Sequence, residues 1–330
     1  MIDESAETET IRSQDSLVKE KDIHTAEGIT FHETYPSNLY WVVNNLANSD
    51  RESADPRYKE WWEAEIGLDD QDVFKLQQFR DAQDQVIKSP EDWEKFHQLV
   101  FNENNQTVDE QEQALIQQYG DNGQKLADAI KHFDPRFASH YKTSKEMFTQ
   151  VQEEIGKKGL TKVVSKFKNF LGLYTSFAQD QQVYSLWAPL GNELGFSQAI
   201  KPNLVLSTSR ERVDPTHEAG AVVHEILHNQ FDPYSPPISD ELSKRGIPPQ
   251  DFSEGVVYAI HYGIIEEDIL GNKGKLDASL EDEGRKNKRQ IQFAIKLLPQ
   301  IKDYFEKGKI LDDGFFDSAS DSYKEISGNQ

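Results

Sequence analysis

The sequence contains no cysteine among its 330 residues. Disulfide bonds, catalysis by a thiol, cysteine-bound zinc and iron–sulfur clusters are therefore all excluded. A transition-metal site in this chain would have to use histidine, aspartate and glutamate side chains. The chain has 9 histidines and 58 acidic residues, so ligands of this kind are plentiful.

Long apolar runs are also absent, and only 36% of the residues are hydrophobic. No stretch approaches the ~18 consecutive apolar residues of a membrane-spanning helix, so we expect no membrane insertion of this chain. Acidic residues outnumber Lys and Arg by 58 to 36, and the formal net charge is −22. Because such a surface repels phosphate groups and anionic lipids, nucleic acid and membrane surfaces are poor partner hypotheses. The charge would mildly favour cationic substrates, but solubility alone also explains it.

The first residues of the chain are polar and acidic, and no signal peptide is visible among them. We predict a disordered acidic leader over residues 1–28. Such a tract is typical of the spacer that follows a removed export signal, which predicts an extracytoplasmic protein. An ordinary disordered terminus of a cytoplasmic protein has the same composition, and that alternative stays open.

The rest of the chain divides into two regions. Aromatic residues make up 11% of the sequence, and through residues 29–170 they recur at helical spacing. This predicts a helical N-terminal region with a break near Asp134-Pro135. From 171 to 330 short strands join the helices, predicted at Gln182–Ala188 and Asn203–Ser207. The sequence therefore predicts an α+β fold, mainly α, with a small sheet in the second region.

Helix signals in the second region surround a proline-rich stretch. Asp214-Pro215 predicts a helix that begins there and runs to about Phe231. The prolines between 233 and 249 predict a long irregular connection, followed by a helix from about Ser253 to Ile269. We expect the last long helix from about Arg285 to Lys307.

The helix that begins at Asp214 contains the pattern His-Glu-x-x-His. His224 and His228 are four residues apart, so they lie on one helical face and both imidazoles can reach one metal ion. Glu225 points elsewhere around the helix, where its carboxylate can reach a water on that metal. Aliphatic residues between 222 and 227 form the opposite face. Two surface or core histidines on an ordinary helix are the alternative interpretation.

This pattern, a strand upstream of it and a glutamate at the start of a later helix resemble the zincin metallopeptidases, in particular the gluzincin branch. The later unit Ser253-Glu254-Gly255 is similar to the Asn-Glu-Gly turn that supplies the third ligand in several gluzincins. Serine replaces the usual asparagine, and the gap after the motif is longer. The resemblance covers roughly Val183–Leu270. It implies a zincin-like catalytic region with one Zn²⁺ per chain, bound by His224, His228 and Glu254.

Other positions bear on the branch and on the third ligand. The metzincin branch would place a further histidine where Tyr234 stands, so that branch does not match. Asp240 and Asp251 remain alternative third ligands. We favour Glu254 because a helix-borne carboxylate has the rigid geometry that zinc sites need. A glutamate that merely interacts with the dipole at a helix start is the competing interpretation.

The resemblance also suggests roles for neighbouring residues. Tyr258 and His261 fall on the helical face of the third ligand, and either would stabilise the oxyanion of the tetrahedral intermediate, as Tyr or His does in gluzincins. His217, two turns before the motif, would contact substrate. Packing or ordinary surface exposure is the alternative for each of them. Glu266 and Glu267 lie farther along and are interpreted as solvated charge.

The mechanism implied is hydrolysis of a peptide bond by a metal-activated water, with Glu225 as general base and as proton donor to the leaving amine. Leu204 and Leu206, on a strand expected to border the cleft, would bind an extended peptide or protein substrate by strand addition. A zincin fold that binds zinc or peptides without turnover is the main alternative, and the intact Glu225 argues against it. Hydrolysis of another type of bond also remains open.

Overall fold

A computed structural model describes most of the chain. The residues that it describes are 24–26, 28–51, 54–102, 104–141, 145–172, 180–188, 197–200, 203–209, 214–231, 233–281 and 287–328. The leader predicted over 1–28 therefore lies largely outside the described residues. His24–Ala26, within that segment, forms a strand, so regular structure begins earlier than predicted.

The helical region begins after a short hairpin of two strands. Its described helices are α1 (Tyr35–Ala47), α2 (Arg57–Glu65), α3 (Asp70–Val86), α4 (Pro90–Val100), α5 (Val108–Tyr119), α6 (Asp121–Ala138), α7 (Lys145–Lys157) and α8 (Leu160–Leu171). Side chains of Thr34, Asp69, Ser89 and Thr107 cap four of these helices, because their oxygens accept from backbone N–H groups of the first turn. Pro135 stands inside α6, so the break predicted there is wrong. It lies in the last turn, where little helix remains to be disrupted.

A five-stranded mixed sheet lies at the centre of the molecule. Its strands are β1 (His24–Ala26), β2 (Ile29–His32), β3 (Gln181–Trp187), β4 (Ser197–Ile200) and β5 (Leu204–Ser209). The order is β1-β2-β3-β5-β4. The inner pairs β2–β3 and β3–β5 are parallel, and the outer pairs β1–β2 and β4–β5 are antiparallel. The two predicted strands are thus present as β3 and β5, whereas the other three strands were not predicted.

The C-terminal half is helical. Its described helices are α9 (Pro215–Gln230), α10 (Pro236–Arg245), α11 (Pro249–Tyr258), a π-helical segment (Ala259–Ile269), α12 (Lys275–Glu281), α13 (Lys288–Lys307) and α14 (Asp313–Ser327).

Three predictions for this half are wrong. The expected irregular connection contains α10, because the prolines at 236 and 237 occupy the first turn, where a missing N–H is tolerated. In the same way Pro249 begins α11 earlier than the predicted Ser253. A further helix, α14, follows the one expected to be last, and the Asp312 side chain caps it by accepting from the Phe315 amide.

The sheet separates two hydrophobic cores. Val183 and Val205 face a core formed with α7 to α14, whereas Tyr184, Leu204 and Leu206 face a core formed with α1 to α6. This division follows from the two-residue period of a strand, which sends neighbouring side chains to opposite faces. The helices α7 and α8 pack with the later helices, so the two cores separate between α6 and α7 and not after residue 170.

The fold class agrees with the prediction of an α+β protein that is mainly α. Among the helices described, none has the length and apolar character required to cross a bilayer.

A buried ion pair stabilises the α1–α6 core. The Asp72 side chain, on α3, is fully buried and accepts hydrogen bonds of 2.7 Å from Arg136 Nη1 and from His132 Nε2 on α6. Burial opposes ionisation of Asp72, but hydrogen bonds from Arg136, the Asp69 backbone and His132 lower its pKa to about 2. The folded pKa therefore lies below the ~3.9 of an unfolded aspartate, so this stabilisation is present above about pH 4 and disappears as pH falls towards 2.

We predict that Asp72→Asn lowers the free energy of unfolding by about 2–4 kcal/mol at pH 7, because it leaves Arg136 without its buried anion. Urea denaturation followed by circular dichroism measures the effect. Asp70→Asn is the control, since Asp70 is exposed in the same helical turn. The difference between parent and Asp72→Asn should shrink between about pH 4 and pH 2. Equal stability of the two variants at pH 7 would contradict the assignment.

Candidate metal centre

The predicted helix around the His-Glu-x-x-His pattern is present as α9. The Asp214 side chain accepts from the Thr216 amide at 3.0 Å, and proline occupies the first turn. The aliphatic face is completely buried; it consists of Val222, Val223, Ile226 and Leu227. Burial of this face turns the opposite face, with His224 and His228, towards a cleft between α9, α11, β4 and α4.

The two histidines converge. Their Nε2 atoms are 3.2 Å apart, and the ring centroids are 4.8 Å apart at an interplanar angle of 71°. Two nitrogen ligands at zinc–nitrogen distances of 2.0–2.1 Å in a tetrahedral site are about 3.3 Å apart. The spacing of the His224 and His228 nitrogens therefore fits a pair of ligands to one zinc ion.

Glu254 on α11 supplies an oxygen next to this pair. Its Oε2 lies 3.7 Å from His228 Nε2, and the two side chains are 26% and 20% exposed. The oxygen–nitrogen distance is about 0.4 Å wider than ideal tetrahedral spacing. Burial raises the pKa of Glu254, while a hydrogen bond with Tyr258 partly opposes that shift. Two imidazoles and one carboxylate form a donor set that suits zinc.

No three His, Asp or Glu side chains in the described part of the chain are already arranged as a complete metal-binding group. The histidine pair has ligand spacing, and Glu254 Oε2 lies 3.7 Å from one of its nitrogens, His228 Nε2.

The alternative third ligands are placed elsewhere. Asp240 is exposed on α10. Asp251 is buried, but its carboxylate accepts from Gln290 Nε2 at 2.7 Å and from the Tyr323 hydroxyl at 2.6 Å, and it pairs with Arg289 at 2.6 Å. These contacts attach α11 to α13 and α14. The arrangement favours Glu254 over both aspartates.

Glu225 points towards the sheet and not towards the histidine pair. Its Oε2 accepts a hydrogen bond of 2.9 Å from the backbone N–H of Ala199 on β4. Burial raises the pKa of Glu225 to about 8, the Ala199 N–H opposes this shift, and the negative charge of Glu254 adds to it. A divalent cation beside the carboxylate would lower this pKa again.

These groups lie in one cleft of roughly 610 Å³. Its walls combine the polar groups with large apolar side chains: Trp93, Glu94, Gln198, Ala199, Ile200, His224, Glu225, His228, Phe231, Pro233, Tyr234, Gln250, Ser253, Glu254 and Tyr258. The α4 residues Trp93 and Glu94 come from the N-terminal helices. Both cores therefore contribute to the cleft.

The substrate-binding prediction for Leu204 and Leu206 is wrong. Both side chains are buried, with exposures of 1% and 0%, in the core formed with α1 to α6. Their strand, β5, is paired on both sides, so it has no free edge to which a peptide could add. The edge strand at the cleft is β4, which the sequence analysis did not predict.

The other predicted site residues fall in two places. Tyr258 lines the cleft, and its hydroxyl accepts from the Asn287 side chain. His261 is only 5% exposed and packs edge-on behind the His224 ring, so it does not line the cleft. His217 also lies outside the cleft wall, with its Nδ1 3.7 Å from Glu266 Oε1. Glu266, interpreted from the sequence as solvated charge, is 1% exposed.

Comparison with known proteins identified no relative of this chain. No known family model matches the chain, no curated protein is significantly similar in sequence, and no solved structure is significantly similar in fold.

We predict that the purified chain binds about one zinc ion, and that Glu254→Ala weakens zinc binding at least about 100-fold. This loss should exceed the 10–100-fold that is typical of outer-shell residues, because a direct ligand is removed. Competition with a chromophoric chelator measures the affinity, and elemental analysis measures the stoichiometry. Asp240→Ala is the matched control, since it removes one exposed carboxylate and should leave the affinity unchanged. If Glu254→Ala retains parental affinity, Glu254 is not a ligand.

Proposed function

We propose that this protein is a zinc-dependent peptidase whose catalytic site is formed by His224, Glu225, His228 and Glu254. The observation that carries the proposal is the 3.2 Å approach of the two histidine Nε2 atoms in an open cleft, with the Glu254 carboxylate 3.7 Å from His228 Nε2 and Glu225 in the same cleft wall. His224, His228 and Glu254 would hold the metal. When bound, zinc polarises a carbonyl group and lowers the pKa of a coordinated water from near 16 towards ~7.

Glu225 is the general base of the proposed reaction. A residue one position after His224 is rotated by about 100° around the helix, so its carboxylate lies beside the ligand set. The Ala199 N–H fixes one carboxylate oxygen, Oε2, and leaves Oε1 for the attacking water. Glu225 takes a proton from that water and later gives it to the leaving amine. A protein that only binds zinc or peptides has no need of a base in this position.

The edge strand β4 provides the proposed contact with the peptide backbone. Gln198, Ala199 and Ile200 line the cleft, and β4 is the last strand of the sheet, paired with β5 on its other side. An extended peptide would bind along this edge through main-chain groups of β4 other than the Ala199 N–H, which already donates to Glu225. Because Ala199 also contacts Glu225, a peptide bound along β4 would place its backbone beside the general base.

The remaining cleft wall indicates how side chains would be accommodated. Trp93 on α4 and Tyr234 after α9 both line the cleft, and the Tyr234 side chain is 63% exposed. The Trp93 ring packs on the buried His97 ring at a centroid distance of 4.0 Å, which holds it in place. Aromatic surfaces of this kind bind apolar parts of a ligand. The N-terminal helices therefore take part in the proposed substrate binding.

We predict that Glu225→Gln retains zinc and the fold but loses about 10²–10⁴-fold in peptide hydrolysis, because glutamine keeps the size of the side chain and cannot accept the proton. The assay compares parent and variant on a diverse peptide library, with zinc content measured on the same samples.

Two results would contradict the proposal. Equal cleavage by parent and Glu225→Gln would mean that the activity uses other chemistry. Zinc binding without cleavage of any peptide by the parent would favour a binding module with a zincin-like site.

A further inference from the structure

A second cluster of polar residues lies on the far side of His224 from the cleft. It consists of His217, His261, Glu266 and Asn272, which we call the rear cluster. The Glu266 side chain is 1% exposed, and its Oε2 accepts from Asn272 Nδ2 at 2.7 Å. Its Oε1 is 3.7 Å from His217 Nδ1, which is too long for a hydrogen bond. No donor in the described part of the chain hydrogen-bonds to Oε1. Such a buried carboxylate is uncommon without a functional reason.

Two local features bring this carboxylate to the back of α9. Gly220 lies one turn before His224, and a Cβ atom on it would stand 3.2 Å from Glu266 Oε1 and 3.5 Å from His261 Cε1. The absence of a side chain at this position lets the Glu266 carboxylate approach α9 closely. The π-helical segment hydrogen-bonds from i to i+5, as in Leu270 N–H to Ile265 O at 2.9 Å. It therefore brings His261 and Glu266, five residues apart, to one face; an α-helix would separate them by about 140°.

The rear cluster reaches His224 through His261. The two rings are 4.9 Å apart at an interplanar angle of 83°, an edge-to-face contact. His224 Nδ1 is buried, and no described group hydrogen-bonds to it. Metal-binding histidines are usually held by a carboxylate or carbonyl behind the ring, which fixes the ring orientation. In this structure the residue of the rear cluster that packs on the His224 ring is another imidazole, His261.

We propose that His261 and Glu266 are positioning residues that hold the His224 ring in the orientation required for zinc binding. This inference rests on the proposed zinc site. Glu266 and His261 meet beside Gly220, and the His261 ring packs edge-to-face against the His224 ring. Burial opposes the charge of Glu266, but contacts with His217, Asn272 and His261 keep the pKa of Glu266 low, so the group is an anion at neutral pH.

The test compares zinc affinities of three variants with that of the parent, by chelator competition. Glu266→Gln should bind zinc 10–100-fold more weakly, as outer-shell substitutions do. Gly220→Ala should weaken zinc binding as well, because its methyl group crowds Glu266 Oε1 at 3.2 Å and requires that carboxylate to shift. Glu218→Gln is the matched control, because Glu218 is equally buried on α9 but accepts a hydrogen bond from Ser207 on the sheet. The zinc affinity of this variant should stay within about threefold of the parental value.

Thermal denaturation in excess chelator separates positioning from general stability. If Glu266 and His261 position His224, the increase in Tm on zinc binding should be smaller for Glu266→Gln and Gly220→Ala than for the parent. For Glu218→Gln it should be unchanged. If Glu266→Gln stays within about threefold of parental affinity while Glu254→Ala does not, the zinc site stands and the positioning role is overturned. Equal losses for Glu218→Gln and Glu266→Gln would also overturn it. Absence of zinc binding by the parent would overturn both this inference and the proposed function.

Discussion

Complete burial of the aliphatic face of α9 fixes the direction of its polar face. Val222 and Ile226 have no exposed surface, so α9 cannot rotate without bringing apolar groups into water. With 3.6 residues per turn, His224 and His228 must then face the cleft. The orientation of the candidate metal ligands thus follows from packing of residues that take no part in chemistry, and substitutions in that face would disturb the histidine pair from behind.

The cleft exists because the sheet has helices on both faces and ends at β4. Among the described strands β1 and β4 are the outer ones, and β4 lies beside α9, where its Ala199 N–H donates to Glu225. The α4 residue Trp93 closes the opposite side. The N-terminal helices therefore have two tasks. They bury one face of the sheet, and they supply a wall for the cleft.

Local signals predicted much of this structure. Asp214 and the i, i+4 spacing of His224 and His228 specify α9 and the convergence of the rings, because both effects act within one or two helical turns. The prediction failed where partners are distant in sequence. Nothing in the pattern of α4 reveals that Trp93 reaches a cleft formed by residues more than a hundred positions later. The burial of Glu266 was missed for a similar reason, since it depends on the space at Gly220 and on a π-helical step.

The proposed ligands also differ in whether local helix geometry or distant contacts place them. His224 and His228 are brought together by the geometry of a single helix, so formation of α9 alone nearly assembles them. The position of Glu254 depends on contacts of α11 with the C-terminal helices. Asp251, one turn before Glu254, is held by α13 and α14, and Tyr258, one turn after it, is held by Asn287 at the start of α13. Since both anchors come from residues beyond 286, the third ligand reaches the histidine pair only when the C-terminal helices have packed. Zinc bound by all three ligands would therefore stabilise the folded C-terminal half and not only α9.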